Sequence, residues 1–114
     1  MIKLTADPDP VYNVNALPTV IEAGHQGDNE AQTIDFDITD WRNRYGAGNV
    51  IIYFRINGMP YSRQLQQIGT IARLTITSDL TEYAGFLEAQ LRYTVNNNVV
   101  KHSKMFMLRI ADSL

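Results

Sequence analysis

At 114 residues the chain holds one domain, long enough to bury a real core and too short for two. Its 45% hydrophobic and 19% charged composition is that of an ordinary globular protein, not of a disordered or membrane-spanning one. A net charge of -2 leaves no clustered basic footprint for a phosphate backbone, so nucleic acid is not an expected partner, and the lack of cysteine excludes disulfides and thiolate metal sites.

The N-terminal stretch "MIKLTADPDPVYNVNALP" meets acidic residues and prolines before any apolar run of signal-peptide length, which predicts a chain made and kept in the cytoplasm of its producing cell. Pro8, Pro10 and Pro18 favour extended backbone, while Val11, Tyr12, Val14 and Leu17 are apolar anchors that a purely solvating tail does not need. Residues 1–17 are therefore expected to form an extended attachment arm ordered by a neighbouring subunit, with the folded domain spanning 18–114. The competing reading is a first strand of the same domain preceded by a frayed end.

From residue 18 onward, period-two alternation dominates and helical period is nearly absent. "PTVIEA" (18–23) predicts a strand. "AQTIDFDI" (31–38) places Ile34, Phe36 and Ile38 on one face with Thr33, Asp35 and Asp37 on the other, a half-buried strand. "TDWRNRYG" (39–46) predicts one helical turn, capped by Thr39 or Asp40 and ended by Gly46. "NVIIYFRI" (49–56) is apolar on both faces and suits a central strand. "NG" at 57–58 predicts a tight type I′ hairpin returning through "MPYSRQLQ", and Pro60, which lacks an N–H, favours an edge position for that strand. "TIARLTIT" (70–77) turns Ala72, Leu74 and Ile76 inward.

"SDLTEYAG" (78–85) is expected to form a tight corner in which Asp79 bonds nearby backbone amides and Gly85 admits a sharp entry into the next strand. That strand, "FLEAQLRYTV" (86–95), sets Leu87, Ala89, Leu91, Tyr93 and Val95 on one face. "NNN" (96–98) turns the chain, since Asn tolerates left-handed backbone, and "VVKHSKMFMLRI" (99–110) closes the series with Phe106, Leu108 and Ile110 in register. About seven short strands separated by turn signals predict an all-β fold, a single antiparallel β-sandwich of Ig-like organisation.

The sequence offers no catalytic constellation. Asp35, Asp37 and Asp40 loosely resemble a calcium loop, but the turn glycine and bidentate Glu are missing and a solvated strand face accounts for the spacing. His25 and His102 have no Cys, Asp or Glu at ligand spacing, so no metal and no cofactor is expected. Ser62, Ser78 and Ser103 have no base nearby in sequence and no nucleophile motif. Trp41, Tyr45, Tyr53 and Tyr61 raise carbohydrate binding as an alternative, because exposed aromatics on a sandwich face stack on sugar rings; against it, Trp41 is expected to plug the end of the core.

The order of "EAGHQGDNEAQTIDFDITDWRNRYGAGNVIIYFR", "YSRQL" and "ARLTITSDLTEYAGFLEAQLRYTVNNNVVKHS" resembles a β-sandwich domain common in tailed bacteriophages and prophages of anaerobic gut bacteria. It is similar in plan to the N-terminal domain of upper baseplate proteins. The residues carrying the likeness are the turn at His25, Gln26 and Gly27, the strand at Ile34, Phe36 and Asp37, the turn at Trp41, Tyr45 and Gly46, and the corner Thr75–Gly85 leading into Glu88, Gln90, Leu91 and Tyr93. The resemblance implies a non-enzymatic virion structural protein: an attachment module of the baseplate or tail fibre, or an accessory protein decorating the capsid. Its implied partners are other virion proteins and further copies of itself, as a homo-oligomer, with no nucleic acid and no membrane.

Overall fold

Among the described residues there are ten strands and two short helices, the strands arranged as two sheets packed face to face, an all-β sandwich. The computed structural model describes residues 11–27, 32–56, 58–82 and 85–111. The smaller sheet has the order β1-β3-β7-β6, from β1 (Val11–Asn13), β3 (Thr33–Asp37), β7 (Ile71–Thr75) and β6 (Gln66–Ile68). The larger has the order β2-β10-β8-β4-β5, from β2 (Val20–His25), β10 (Phe106–Ala111), β8 (Gly85–Val95), β4 (Asn49–Ile56) and β5 (Met59–Gln64), with β9 (Asn98–His102) also pairing β8. The ladders are antiparallel except at two places: β1 runs parallel to β3, and β2 runs parallel to β10. The N-terminal stretch thus supplies one strand to each sheet.

Ile34, Phe36, Leu74, Ile76, Leu91, Tyr93, Phe106 and Leu108, which alternation turns inward, are buried, and so are Ile52 and Phe54 of the central strand that is apolar on both faces. The strand count exceeds the expected seven because three pieces are only three to five residues long and carry no clean alternation of their own. At Leu65, which is buried and donates its N–H to Val50, the chain leaves β5 and crosses to β6 in the other sheet. The expected single strand over 99–110 is broken into β9 and β10 by Ser103. Its hydroxyl accepts the Leu91 N–H at 2.9 Å and donates to the Lys104 carbonyl, taking the place of a main-chain acceptor, while its own N–H donates to the Leu91 carbonyl.

The expected edge position of β5 holds, since among the described residues only β4 pairs with it. Gly58 has φ +80°, as a tight β4–β5 turn requires, while Asn57 lies outside the described residues. Asn96 and Asn97 both adopt left-handed backbone in the β8–β9 turn.

One expectation is corrected here. The attachment arm does not extend through residue 17, and the domain does not start at 18. Val14 and Leu17 are buried in the sandwich core, Tyr12 packs its ring against Phe36 at 6.2 Å, and β1 is hydrogen-bonded into the smaller sheet. Apolar side chains that close in sequence to a sheet edge are buried more cheaply by their own domain than by a partner. Val11, 52% exposed, is the one anchor of the four still turned to solvent, and residues 1–10 lie outside the described residues.

Candidate assembly surface

The ends of the sandwich are closed by two joints. Helix α1 (Thr39–Tyr45) is capped neither by Thr39 nor by Asp40: Asp37, at the end of β3, accepts from the Thr39 N–H at 2.9 Å and from its hydroxyl at 2.6 Å. Gly46, φ +91°, ends the helix as expected. The helix drives Trp41 into the core at 0% exposure, against Tyr93 at 5.6 Å, with Tyr45 on the same ring at 6.4 Å. The Tyr93 hydroxyl donates to the Gly46 carbonyl, and burial pushes its phenol above the ordinary tyrosine range. Asn15 locks this joint from the N-terminal side: its amide donates to Asp40 at 2.8 Å, and its oxygen accepts the Trp41 indole N–H at 3.3 Å. Asp40 also pairs with Arg44, and these bonds hold its carboxyl below the usual range.

At the other joint, α2 (Ser78–Thr81) buries Leu80 and Thr81, and the Thr81 carbonyl receives the Gly27 N–H. Asp79 lies in this corner, where its carboxylate accepts its own backbone N–H, and it reaches beyond the turn as well. Its carboxylate accepts from the Thr77 hydroxyl and from Arg63 at 2.7 Å, and Arg63 also reaches Thr77 at 2.9 Å. Arg63 belongs to β5, so the contact clasps the edge of one sheet to the end of β7 in the other. Partial burial raises the Asp79 carboxyl, but the Thr77 hydroxyl and the Arg63 guanidinium outweigh it and the net shift is downward. Gly85 begins β8 at φ +122°, a backbone that favours glycine; Tyr83 and Ala84 of the expected corner lie outside the described residues.

The three aspartates are engaged separately: Asp35 in a bidentate pair with Arg73, Asp37 at Thr39 in the turn before the helix, Asp40 at Asn15 and Arg44. Among the described residues no group of three or more His, Asp or Glu could hold a metal ion, and no helix is long and apolar enough to cross a membrane. The four aromatics considered for sugar stacking do not form one row. Trp41 and Tyr45 pack on Tyr93, Tyr61 stacks on Phe54 at the β5 edge, and Tyr53 alone faces out from the larger sheet.

What the strands present outward is the outer face of that larger sheet. Phe86 (57% exposed), Met105 (53%) and Val20 stand there beside the half-buried Met107. Register places Met107 beside Val20 and Arg109 beside Phe86, and Arg109 pairs with Glu22 at 2.7 Å across β10 and β2. Toward β5 the same face becomes polar, with Arg55, Glu88 and Gln90 around Tyr53 and with Arg92 stacked on the Tyr53 ring at 4.0 Å. Phe86 went unremarked in the sequence, although the signal was there: it is a large aromatic in the same register as Glu88, Gln90 and Arg92. A scan against protein-family models and a search of curated proteins returned no match to the chain.

Proposed function

We propose that the protein is a non-enzymatic structural module of a tailed-bacteriophage virion, of Ig-like organisation, working in the baseplate or tail fibre or as a decoration of the capsid. The carrying observation is the apolar surface gathered on one sheet face, Phe86, Met105 and Val20 together, where solvent alone gives no reason for large apolar side chains. In support, the residues that carry the family resemblance are occupied in joints of the fold: Trp41, Tyr93 and Gly46 at one end, Asp79 and Gly85 at the other. A module so built offers faces and edges to neighbours, in line with partners that are other virion proteins and further copies of the chain.

The test is to locate the chain in intact particles by cryo-electron microscopy and to measure its mass in solution. Density at the baseplate, tail fibre or capsid surface, with the outer face of the larger sheet against a neighbour, is the expected result. Phe86→Glu is expected to keep the melting temperature and to lose incorporation. Particles that lack the chain, or that incorporate Phe86→Glu normally, overturn the proposal.

A further inference from the structure

We propose that the depression around Tyr53 on the outer face of the larger sheet binds a carboxylate-bearing saccharide, an activity beyond an assembly role. The depression encloses about 250 Å³, room for one sugar ring, and runs from Met105 across β8 and β4 to Pro60. Its floor is organised by a single stack. The Arg92 guanidinium lies 4.0 Å over the Tyr53 ring, and its Nε–H donates to Gln90 at 3.3 Å. With the plane fixed by the ring and the Nε side occupied, the terminal N–H groups of Arg92 have no partner among the described residues. They form the parallel fork that matches a carboxylate.

The remaining walls define the rest of the ligand. Arg55 and Glu88 stand opposite each other in register, yet no ion pair joins them among the described residues, so a donor and an acceptor both remain for hydroxyl groups. Pro60 and Met105 give apolar walls for the carbon face of a ring. Two guanidiniums against one carboxylate leave the site with a single surplus positive charge, which suits a ligand carrying one acid among several hydroxyls. An acidic peptide fits less well, because Glu88 repels its additional carboxylates. The assembly patch is centred on Phe86 and Val20, toward β2, and shares Met105 with the depression, so Phe86→Glu and Arg92→Ala separate the two surfaces.

The experiment is a nuclear magnetic resonance titration of the whole chain with the methyl glycoside of galacturonic acid, which carries one carboxylate, with the uncharged methyl galactoside and triaspartate as comparisons. Galacturonate is expected to shift the Tyr53, Gln90 and Met105 signals in a saturable manner, and methyl galactoside to bind at least about tenfold more weakly for want of the charge-assisted fork. Arg92→Ala is expected to abolish the shifts. Arg92→Lys, which keeps the charge and the fold but not the fork, is expected to lose most of the affinity. Shifts unchanged in both variants, or no saturable shift at these residues, overturn the site. Triaspartate binding there more tightly than galacturonate overturns the saccharide assignment.

Discussion

Tyr93 shows how much of this fold hangs on single side chains, since its ring is packed by both Trp41 and Tyr45 while its hydroxyl closes the helix end at Gly46. Its neighbour in the same register, Leu91, is fully buried at the centre of β8 and has no polar role. Leu91→Ala is expected to cost about 2–5 kcal/mol, read as a lower denaturation midpoint, through lost burial and the cavity left behind. Asp79 has an effect of different size and pH dependence. Its folded carboxyl titrates below its ordinary value, so the stability it adds is present above that ordinary value and is lost as pH falls through the folded one. Because the carboxylate is largely exposed, screening limits the contribution to about 1 kcal/mol or less. Asp79→Asn is expected to melt slightly below the wild type at pH 7, with the two melting points converging as pH falls through the lowered folded value of Asp79 until both side chains are neutral. A gap that persists in acid would mean that Asp79 acts through shape and not through charge. The side chain was identifiable from sequence as a corner residue, but its long-range partner was not: Arg63 is brought to it by the pairing of β5 with β4, a contact that local turn chemistry does not contain.

Among the elements, β8 organises the larger sheet, pairing β4 along one side and β9 and β10 along the other. Its facing was legible because burial on one side forces strict alternation, and Leu87, Ala89, Leu91 and Tyr93 are all buried as that alternation requires. The break at Ser103 was not legible, since a serine in a β-rich run looks like any polar strand position until its hydroxyl is seen to replace a main-chain partner. β1 was misassigned for a related reason: three residues between prolines are too few to show a period, and only the pairing with β3 reveals that Val14 and Leu17 turn inward. The loop before β4 presses on β8 at Gly48. A Cβ there would overlap the Thr94 carbonyl oxygen, which is main chain and cannot swing aside, and would also crowd the Val95 side chain. Gly48→Ala is therefore expected to destabilise by about 1–3 kcal/mol, as overpacking does, whereas Gly27→Ala, with open space around it, is expected to cost only the strain of its positive φ. A Gly48→Ala variant that melts with the wild type would show that the β4–β8 approach at Gly48 is looser than this geometry.

For the molecule as a whole, the N-terminal stretch decides where the domain ends and where any attachment function begins. Residues 11–17 hold β1 in the smaller sheet, place Val14 and Leu17 in the core, and through Asn15 join Asp40 to the Trp41 indole. Removing residues 1–17 therefore takes away two buried aliphatics, an edge strand and the polar latch of α1 at once. Each aliphatic alone is worth about 2–5 kcal/mol on truncation, a large part of the 5–15 kcal/mol by which domains are typically stable. The expected outcome is a chain that no longer unfolds cooperatively, so its failure to enter particles would say nothing about attachment. Removing only residues 1–10 leaves every one of those contacts in place, and its expected melting temperature matches that of the full chain. The shorter deletion is thus the informative one for assembly: if it folds normally and no longer enters particles or associates with itself, the attachment role belongs to residues 1–10 together with the exposed Val11. If it assembles as the full chain does, attachment rests on the sheet face around Phe86 alone. A chain lacking residues 1–17 that melts as sharply and as high as the full protein would show instead that β1 and its two buried side chains contribute nothing the rest of the sandwich does not already supply.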